Sequence, residues 1–216
     1  MTTEPETPFL HVGDHPAIDF LNTAYRPQGV AIELLGSGQE FLAWLVATGL
    51  LEPAAARTLE RRVGRAALDS AAEEARRVRE WARGWLRRWR QAPRGDFAKD
   101  VARLNTLLAR ASLEREVVAS DDGLRLVQQS AIESAGALLA LVAAQIAAFV
   151  TAEDPALLKM CAGPGCTVWF LDRTRAGRRR FCTSAVCGNR AKVAAFRERQ
   201  RAESTFSRTA RPRRAR

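Results

Sequence analysis

Four cysteines, arranged as two close pairs, constrain the fold of this 216-residue chain more than any other feature. Four residues separate Cys161 from Cys166, four separate Cys182 from Cys187, and fifteen lie between the two pairs. A spacer of hairpin length can bring both pairs around one ion, and Zn²⁺ binds four thiolates tetrahedrally. Because four thiolates leave no open coordination position, the spacing predicts one structural zinc ion rather than a catalytic one.

Other uses of these cysteines are weaker interpretations. Structural disulfides are disfavoured in a reducing cytosol, and the polar N-terminal segment 1–7 shows no secretory signal. The spacings match neither of the familiar ferredoxin patterns for an iron–sulfur cluster. Zinc-gated redox sensing stays open, because zinc ligation also creates thiolates of low pKa.

The residues around the cysteines predict how this zinc module folds. Gly163-Pro164-Gly165 lets the first loop fold back so that its cysteines converge. Residues 168–171 and 179–181 are predicted to form the two arms of a hairpin. A helix is expected to begin just after Cys187, with Asn189 as its N-cap. This order of loop, hairpin and helix is typical of a treble-clef-like zinc finger.

The distribution of charge predicts a polyanionic partner for the same module. Between Ala156 and Arg216 the chain has 16 basic and three acidic residues, whereas the first 155 residues have 18 basic and 21 acidic ones. A solvated basic end is the alternative, but here the charge coincides with a structured motif. The chain is therefore predicted to combine a near-neutral body with a basic, cysteine-bearing module.

The helix predicted over residues 190–202 places cations on two of its sides. Eight basic residues are predicted to contact DNA: Arg178, Arg179 and Arg180 on the hairpin, Arg190, Arg197 and Arg201 on one helical stripe, and Lys192 and Arg199 on the opposite side. Val193 and Phe196 lie between the stripes and are expected to dock on the zinc hairpin. Such a helix can sit in a major groove, with one stripe toward the bases and another toward the backbone.

Duplex DNA is favoured over RNA as the partner. The same charges would serve RNA, but few exposed aromatic residues are expected here for stacking on unpaired bases. Four basic residues near the end of the chain (Arg211, Arg213, Arg214 and Arg216) are predicted to lie in a disordered tail that follows phosphates. Because one finger reads few base pairs, a homodimer or a flanking arm is expected to supply specificity.

The first 155 residues are predicted to form a mostly helical domain. Apolar periodicity and capping residues predict helices that begin at Ser37, Pro53, Asp96 and about Ile132. The segment 115–127 is predicted to form a β-hairpin that turns at Asp121-Asp122-Gly123.

The longest apolar run, residues 131–150, is rich in alanine and contains Glu133, Ser134 and Gln145. A membrane-spanning helix needs about 20 strongly apolar residues, so this run predicts a buried helix. We expect a soluble, cytoplasmic protein with no membrane partner. Its fold class is mainly α with small β-hairpins: a helical N-terminal domain (1–155), a treble-clef-like zinc finger (156–204) and the basic tail (205–216).

Asp19 and Asn22 form a polar cluster within an apolar run, one turn apart if that segment is helical. They could bind a small polar ligand, or they could brace a buried turn, which is the stronger interpretation. The sequence contains no nucleophile elbow, phosphate loop, Rossmann fingerprint or second metal set, so we predict no enzymatic activity. A deep pocket that held Asp19 beside a paired base would favour an enzyme instead.

Two parts of the chain resemble known families. Residues 179–192, which contain Cys187-Gly188-Asn189-Arg190, resemble the CGNR zinc finger, and residues 161–166 with Phe170-Leu171-Asp172 resemble its first half. Phe181 stands where that family often has tryptophan. Residues 15–23, together with Trp44-Leu45, resemble the ABATE domain that commonly precedes this finger.

The resemblance implies a bacterial, stress-induced transcription regulator. It implies zinc bound by the four cysteines, DNA as the target, and an N-terminal domain that senses a ligand. The alternative is a zinc-stabilised RNA- or protein-interaction module without sequence-specific DNA binding, in which the metal shapes a basic docking surface.

Overall fold

The computed structural model describes residues 11–26, 30–120 and 123–209. Within them the chain forms six α-helices and three two-stranded antiparallel sheets. The helices are α1 (Pro16–Leu21), α2 (Gly38–Ala47), α3 (Pro53–Gln91), α4 (Ala98–Leu108), α5 (Leu138–Ala152) and α6 (Asn189–Thr209). The strand pairs are β1 (Ala24–Tyr25) with β2 (Ile32–Glu33), β3 (Ser112–Ser120) with β4 (Gly123–Ala131), and β5 (Leu158–Met160) with β6 (Trp169–Leu171). The predicted fold class, mainly α with small β-hairpins, is confirmed.

Local signals in the sequence set the starts of α2 and α3 as predicted. The Ser37 side chain accepts a hydrogen bond from the Glu40 N–H and so caps α2. Pro53 occupies the first turn of α3, where its missing N–H has no helical partner to lose. A break at Gly64 interrupts α3, and the φ of 75° there lies in a region that glycine adopts readily.

Two helices start later than predicted. α4 begins at Ala98, and Asp96 lies just before it with its Oδ1 accepting from the Ala98 N–H at 2.9 Å. α5 begins at Leu138 because residues 135–137 form a 3₁₀ turn that the Ser134 side chain caps. In both cases a polar side chain bonds a backbone N–H before the regular helix, and before α5 it holds an extra 3₁₀ turn.

α5 is the central helix of the main hydrophobic core, as predicted. The segment 135–152 is long and apolar enough to cross a membrane by length and composition, and half of it is buried inside the protein. Leu138, Val142, Ile146 and Phe149 are fully buried. They pack in one cluster with the buried side chains of α1, α2 and α3.

The predicted β-hairpin forms as β3 and β4 and is longer than expected. The register runs from Ser112 opposite Ala131 to Ser120 opposite Gly123; Asp121 and Asp122 lie outside the described residues. Because alternate residues share a face, four apolar side chains lie on the same face of this ribbon. They are Leu113, Val117, Leu124 and Leu126, which are 56 to 79% exposed.

The zinc module shares a strand with the main core. β6 pairs with β5, with Met160 opposite Trp169, so the predicted pairing of residues 168–171 with 179–181 is wrong. Trp169 and Leu171 belong to the main core, whereas Val168 and Phe170 pack with the cysteines in a second cluster. A strand buried on both faces therefore joins the finger to the N-terminal domain.

α6 begins at Asn189, just after Cys187 as predicted, but the cap at its N-terminal end differs from the prediction. The Thr183 side chain accepts a hydrogen bond from the Val186 N–H and caps a π-helical turn, Ser184–Gly188, that continues directly into α6. Asn189 has helical backbone angles, φ −64° and ψ −42°, so it is not the N-cap. The helical turns that lead into α6 therefore start before Cys187, because Thr183 caps the free N–H group of Val186 there.

α6 also packs less than predicted. Val193 and Phe196 are 41% and 56% exposed, so the expectation that they dock on the zinc hairpin is wrong. The helical backbone continues to Thr209, beyond the boundary predicted at residue 204. Residues 210–216, which contain the four arginines of the predicted tail, lie outside the described part of the chain.

Candidate metal centre and nucleic-acid surface

The four cysteine side chains converge on one point. All four Sγ atoms lie within 4.8 Å of one another. The Cys182 Sγ is 3.6 Å from the Cys187 Sγ and 4.0 Å from the Cys166 Sγ. Since Zn–S bonds are about 2.3 Å, a tetrahedral zinc ion has sulfur–sulfur edges of about 3.8 Å. The donor spacing therefore fits one zinc ion with all four cysteines as ligands.

The loops around the cysteines supply a close-fitting backbone. The N–H groups of Gly163 and Cys182 donate to the Cys161 Sγ at 3.4 and 3.3 Å, which orients that sulfur and favours its thiolate. A Cβ at position 163 would lie 3.1 Å from the Cys187 Sγ, so this close approach favours glycine. Gly165 turns the same loop with a φ of 71°.

The electrostatics of the four-cysteine cluster favour a bound cation. Burial, together with the charge of Cys161, raises the pKa of Cys166 to about 11, and burial also raises the pKa of Cys182. Burial acts the same way on Cys161, but the N–H donors from Cys182 and Gly163 outweigh it and lower the pKa of that thiol. Adjacent buried thiols cannot all ionise at neutral pH unaided. A divalent ion would supply the compensating charge and fill a closed, structural shell.

Asp172 organises the segment between the two cysteine pairs. It is buried and accepts hydrogen bonds from the Lys159 Nζ at 2.6 Å, the Thr174 N–H at 3.1 Å and the Arg179 N–H at 2.9 Å. The hydrogen bond from the Lys159 ammonium is the main reason why the pKa of Asp172 lies well below its ordinary value. The carboxylate is therefore charged at neutral pH and fixes the turn that leads back to the second pair.

Arg179 serves the structure of the finger rather than its surface. Its guanidinium donates to the carbonyls of Phe181 and Cys182 at 3.1 and 2.5 Å and to the Asp14 Oδ2 at 3.1 Å. It also lies 4.3 Å from the centre of the Phe170 ring. Because these contacts occupy the guanidinium, the structure favours a bracing role for Arg179 over the predicted contact with DNA.

The other predicted contacts remain accessible at the surface. Arg190 is half-buried, and six are exposed: Arg178, Arg180, Lys192, Arg197, Arg199 and Arg201. A groove of about 720 Å³ beside the first turns of α6 has Arg180, Phe181 and Lys192 among its lining residues. Cationic side chains therefore line a concave surface next to the metal centre.

Asp19 and Asn22, predicted as a ligand-binding pair, have separate structural roles. The Asn22 Nδ2 donates to the Trp169 carbonyl and its Oδ1 accepts from the Trp169 N–H, both at 2.8 Å, and Asn22 is fully buried. The Asp19 Oδ1 accepts from the Gly13 N–H at 2.8 Å, and burial raises the pKa of Asp19. The structure therefore favours the stronger interpretation from the sequence, that these residues brace a buried segment, because the amide of Asn22 is used by the backbone of β6.

The same Asn22 contact is one of several that fix the finger on the N-terminal domain. The Arg173 Nη2 lies 2.6 Å from the Glu153 Oε1, and the Arg87 guanidinium lies 5.8 Å from the centre of the Trp169 ring. We did not predict from the sequence that Trp169 joins the finger to the N-terminal domain, or that Asp172 organises the segment between the two cysteine pairs. A signal was present for Asp172, which is one of only three acids in a segment with 16 basic residues.

Comparison with known families agrees with this architecture. Residues 14–153, more than half of the chain, match the ABATE family, described as "Putative stress-induced transcription regulator". Residues 158–200 match the CGNR zinc finger, and these contain the four convergent cysteines. No curated protein shows significant sequence similarity to the chain. The chain belongs to the ABATE family and carries a CGNR zinc finger, with a four-cysteine metal site, at its C-terminal end.

Proposed function

We propose that the protein is a zinc-dependent, DNA-binding transcription regulator that acts in the cytoplasm on duplex DNA. The observation that carries the proposal is the position of α6. This helix begins at the metal centre, and every side chain from Lys192 to Arg201 is exposed. Residues 190–201 include five basic residues and one acidic residue. An exposed helix of this charge suits the major groove, which is about 12 Å wide, close to the diameter of an α-helix with its side chains.

The exposed apolar residues of α6 are compatible with the same partner. Phe196, predicted to be docked, is exposed among the cations. A phenylalanine on a helix in the major groove can contact the methyl group of thymine. The same ring could stack on an unpaired base, so a single-stranded RNA is the alternative partner. A direct competition between duplex DNA and single-stranded RNA distinguishes the two partners.

Neutralising α6 should weaken binding to duplex DNA. We expect Lys192→Ala and Arg197→Ala each to cost about 1–3 kcal/mol if the side chain reads a base, or to reduce the salt dependence if it holds a phosphate. Fluorescence anisotropy of the zinc-loaded protein with a labelled duplex measures both effects. Arg57→Ala, an exposed arginine on α3 in a groove lined by residues of α2 and α3, is the matched control and should bind as the wild type does.

Three outcomes of that assay decide the proposal. Equal affinity of all three variants and the wild type would contradict a role for α6. Displacement of the duplex by unlabelled single-stranded RNA at much lower concentration than by duplex DNA would favour the RNA-interaction alternative. No binding to either nucleic acid would favour a protein-interaction module.

We also propose that the protein binds DNA as a homodimer. One recognition helix contacts few base pairs, so two copies are needed for a site of useful length. The apolar face of the β3–β4 ribbon is a suitable pairing surface, because Val117 and Leu126 are opposite each other and both are more than 60% exposed. An N-terminal domain that senses a ligand is compatible with this arrangement, but the ligand would not be held by Asp19 and Asn22.

A further inference from the structure

We infer that the N-terminal domain forms part of the DNA-binding surface, through a basic groove that holds the phosphate backbone and to which α3 contributes Arg90. The inference rests on the proposed function and extends the contact surface beyond the zinc finger. The groove has a volume of about 490 Å³ and lies between the C-terminal end of α3 and the finger. Its lining residues are Arg90, Lys159, Met160, Ala162, Gly177, Arg178, Arg179 and Arg180.

The charge of the groove is strongly positive and only partly compensated. Among these lining residues five are cationic and none is acidic. Lys159 is paired with Asp172 and Arg179 with Asp14, as described above. Arg90, Arg178 and Arg180 are exposed, and within the described part of the chain none of the three forms an ion pair. Three uncompensated guanidinium groups on one concave surface are suited to phosphate oxygens.

The groove is continuous with the surface of α6. Arg180 lines this groove and also lines the larger groove beside α6, which Lys192 lines as well. The Arg180 guanidinium lies 5.7 Å from the centre of the Phe181 ring, which supports its position between the two grooves. Cations therefore continue from Arg90 on α3, across Arg180, to Lys192 on α6. A duplex that places its major groove on α6 can extend its backbone along this surface.

The two walls of the groove are fixed relative to each other. The Asn22 side chain holds both backbone groups of Trp169, and Arg87, one turn before Arg90 on α3, lies over the Trp169 ring. A pre-formed surface loses little conformational freedom when it binds, so it favours affinity. Arg90 can thus act together with the finger although it belongs to a different domain.

Arg90→Ala tests the inference in the full-length, zinc-loaded protein. We expect the affinity for a labelled duplex to fall by about 5- to 10-fold near 0.1 M salt, and the slope of log K against log salt to become shallower by about one. Arg90→Lys keeps the charge and should retain most of the affinity. Arg94→Ala, an exposed arginine beyond the end of α3 and outside the groove lining, is the matched control and should match the wild type.

The possible results separate the inference from the proposed function. If the wild type binds the duplex and Arg90→Ala binds equally well with the same salt slope, the inference is overturned and the proposed function stands. If the wild type does not bind duplex DNA, both are overturned. A preference for single-stranded RNA that Arg90→Ala abolishes would overturn the assignment of the groove to DNA. Circular dichroism and zinc content establish that each variant is folded.

Discussion

Replacing Cys182 by serine should abolish zinc binding and unfold the finger. Its sulfur lies 3.6 Å from that of Cys187 and 4.0 Å from that of Cys166, so its loss opens the tetrahedron. Structural zinc contributes apparent binding free energies of about 10–16 kcal/mol in isolated zinc fingers, and that energy is folding energy. We therefore expect no bound zinc, loss of helical signal from α6, and loss of DNA binding.

Metal analysis of the purified protein together with circular dichroism measures this result. Ser184→Ala changes an exposed side chain two residues from Cys182 and should retain one zinc ion per chain, as the wild type does. If Cys182→Ser kept the wild-type zinc content and helicity, the four-cysteine centre would be wrong. Because β6 belongs to both clusters, we expect chelation of zinc from the wild type to lower the thermal midpoint of the N-terminal domain as well.

Replacing Asn22 by alanine should destabilise the whole protein by about 2–6 kcal/mol. The change leaves the buried N–H and carbonyl of Trp169 without partners, and each unsatisfied group costs about 1–3 kcal/mol. Asn22 is fully buried and makes both of its contacts at 2.8 Å. Denaturant unfolding followed by fluorescence and by circular dichroism measures the loss. Asn105→Ala on α4 is the matched control, and its exposed side chain should make little difference.

This variant separates a structural role of Asn22 from ligand binding. A structural role predicts lower stability without any added small molecule. If Asn22→Ala unfolded like the wild type, the amide would not be needed by β6, and a ligand-binding role would return. We expect Asn22→Ala to lower the affinity for DNA as well, because Asn22 fixes the position of the finger against α3.

The sequence was sufficient to predict the metal site, because ligand type and spacing are local properties. The cysteine spacings and the Gly163-Pro164-Gly165 loop predicted a convergent tetrahedral set, and the sulfur positions agree with it. The start of α2 was predictable for the same reason, since Ser37 acts on an N–H three residues away. Signals of this kind require only a few neighbouring residues.

Features that depend on distant contacts were not predictable from local patterns. The partner of β6 is β5, a strand of three residues that is too short to show periodicity. Arg178, Arg179 and Arg180 are alike in sequence, but only Arg179 meets Asp14, which is 165 residues away. The three-residue spacing of Val193 and Phe196 predicted burial, yet these side chains are 41% and 56% exposed. Tertiary contacts, rather than residue type, decided each of these cases.

Selection of bound sites from a random pool of duplex DNA tests the central claim most directly. The wild-type protein, loaded with zinc at near-physiological salt, should enrich a defined motif. A palindromic motif would also indicate that the protein binds as a homodimer, and would give the spacing of the two half-sites. Lys192→Ala should reduce or alter the enrichment. If no motif is enriched and the retained DNA is released as salt rises, the surface only holds phosphates. That result would contradict a sequence-specific regulator.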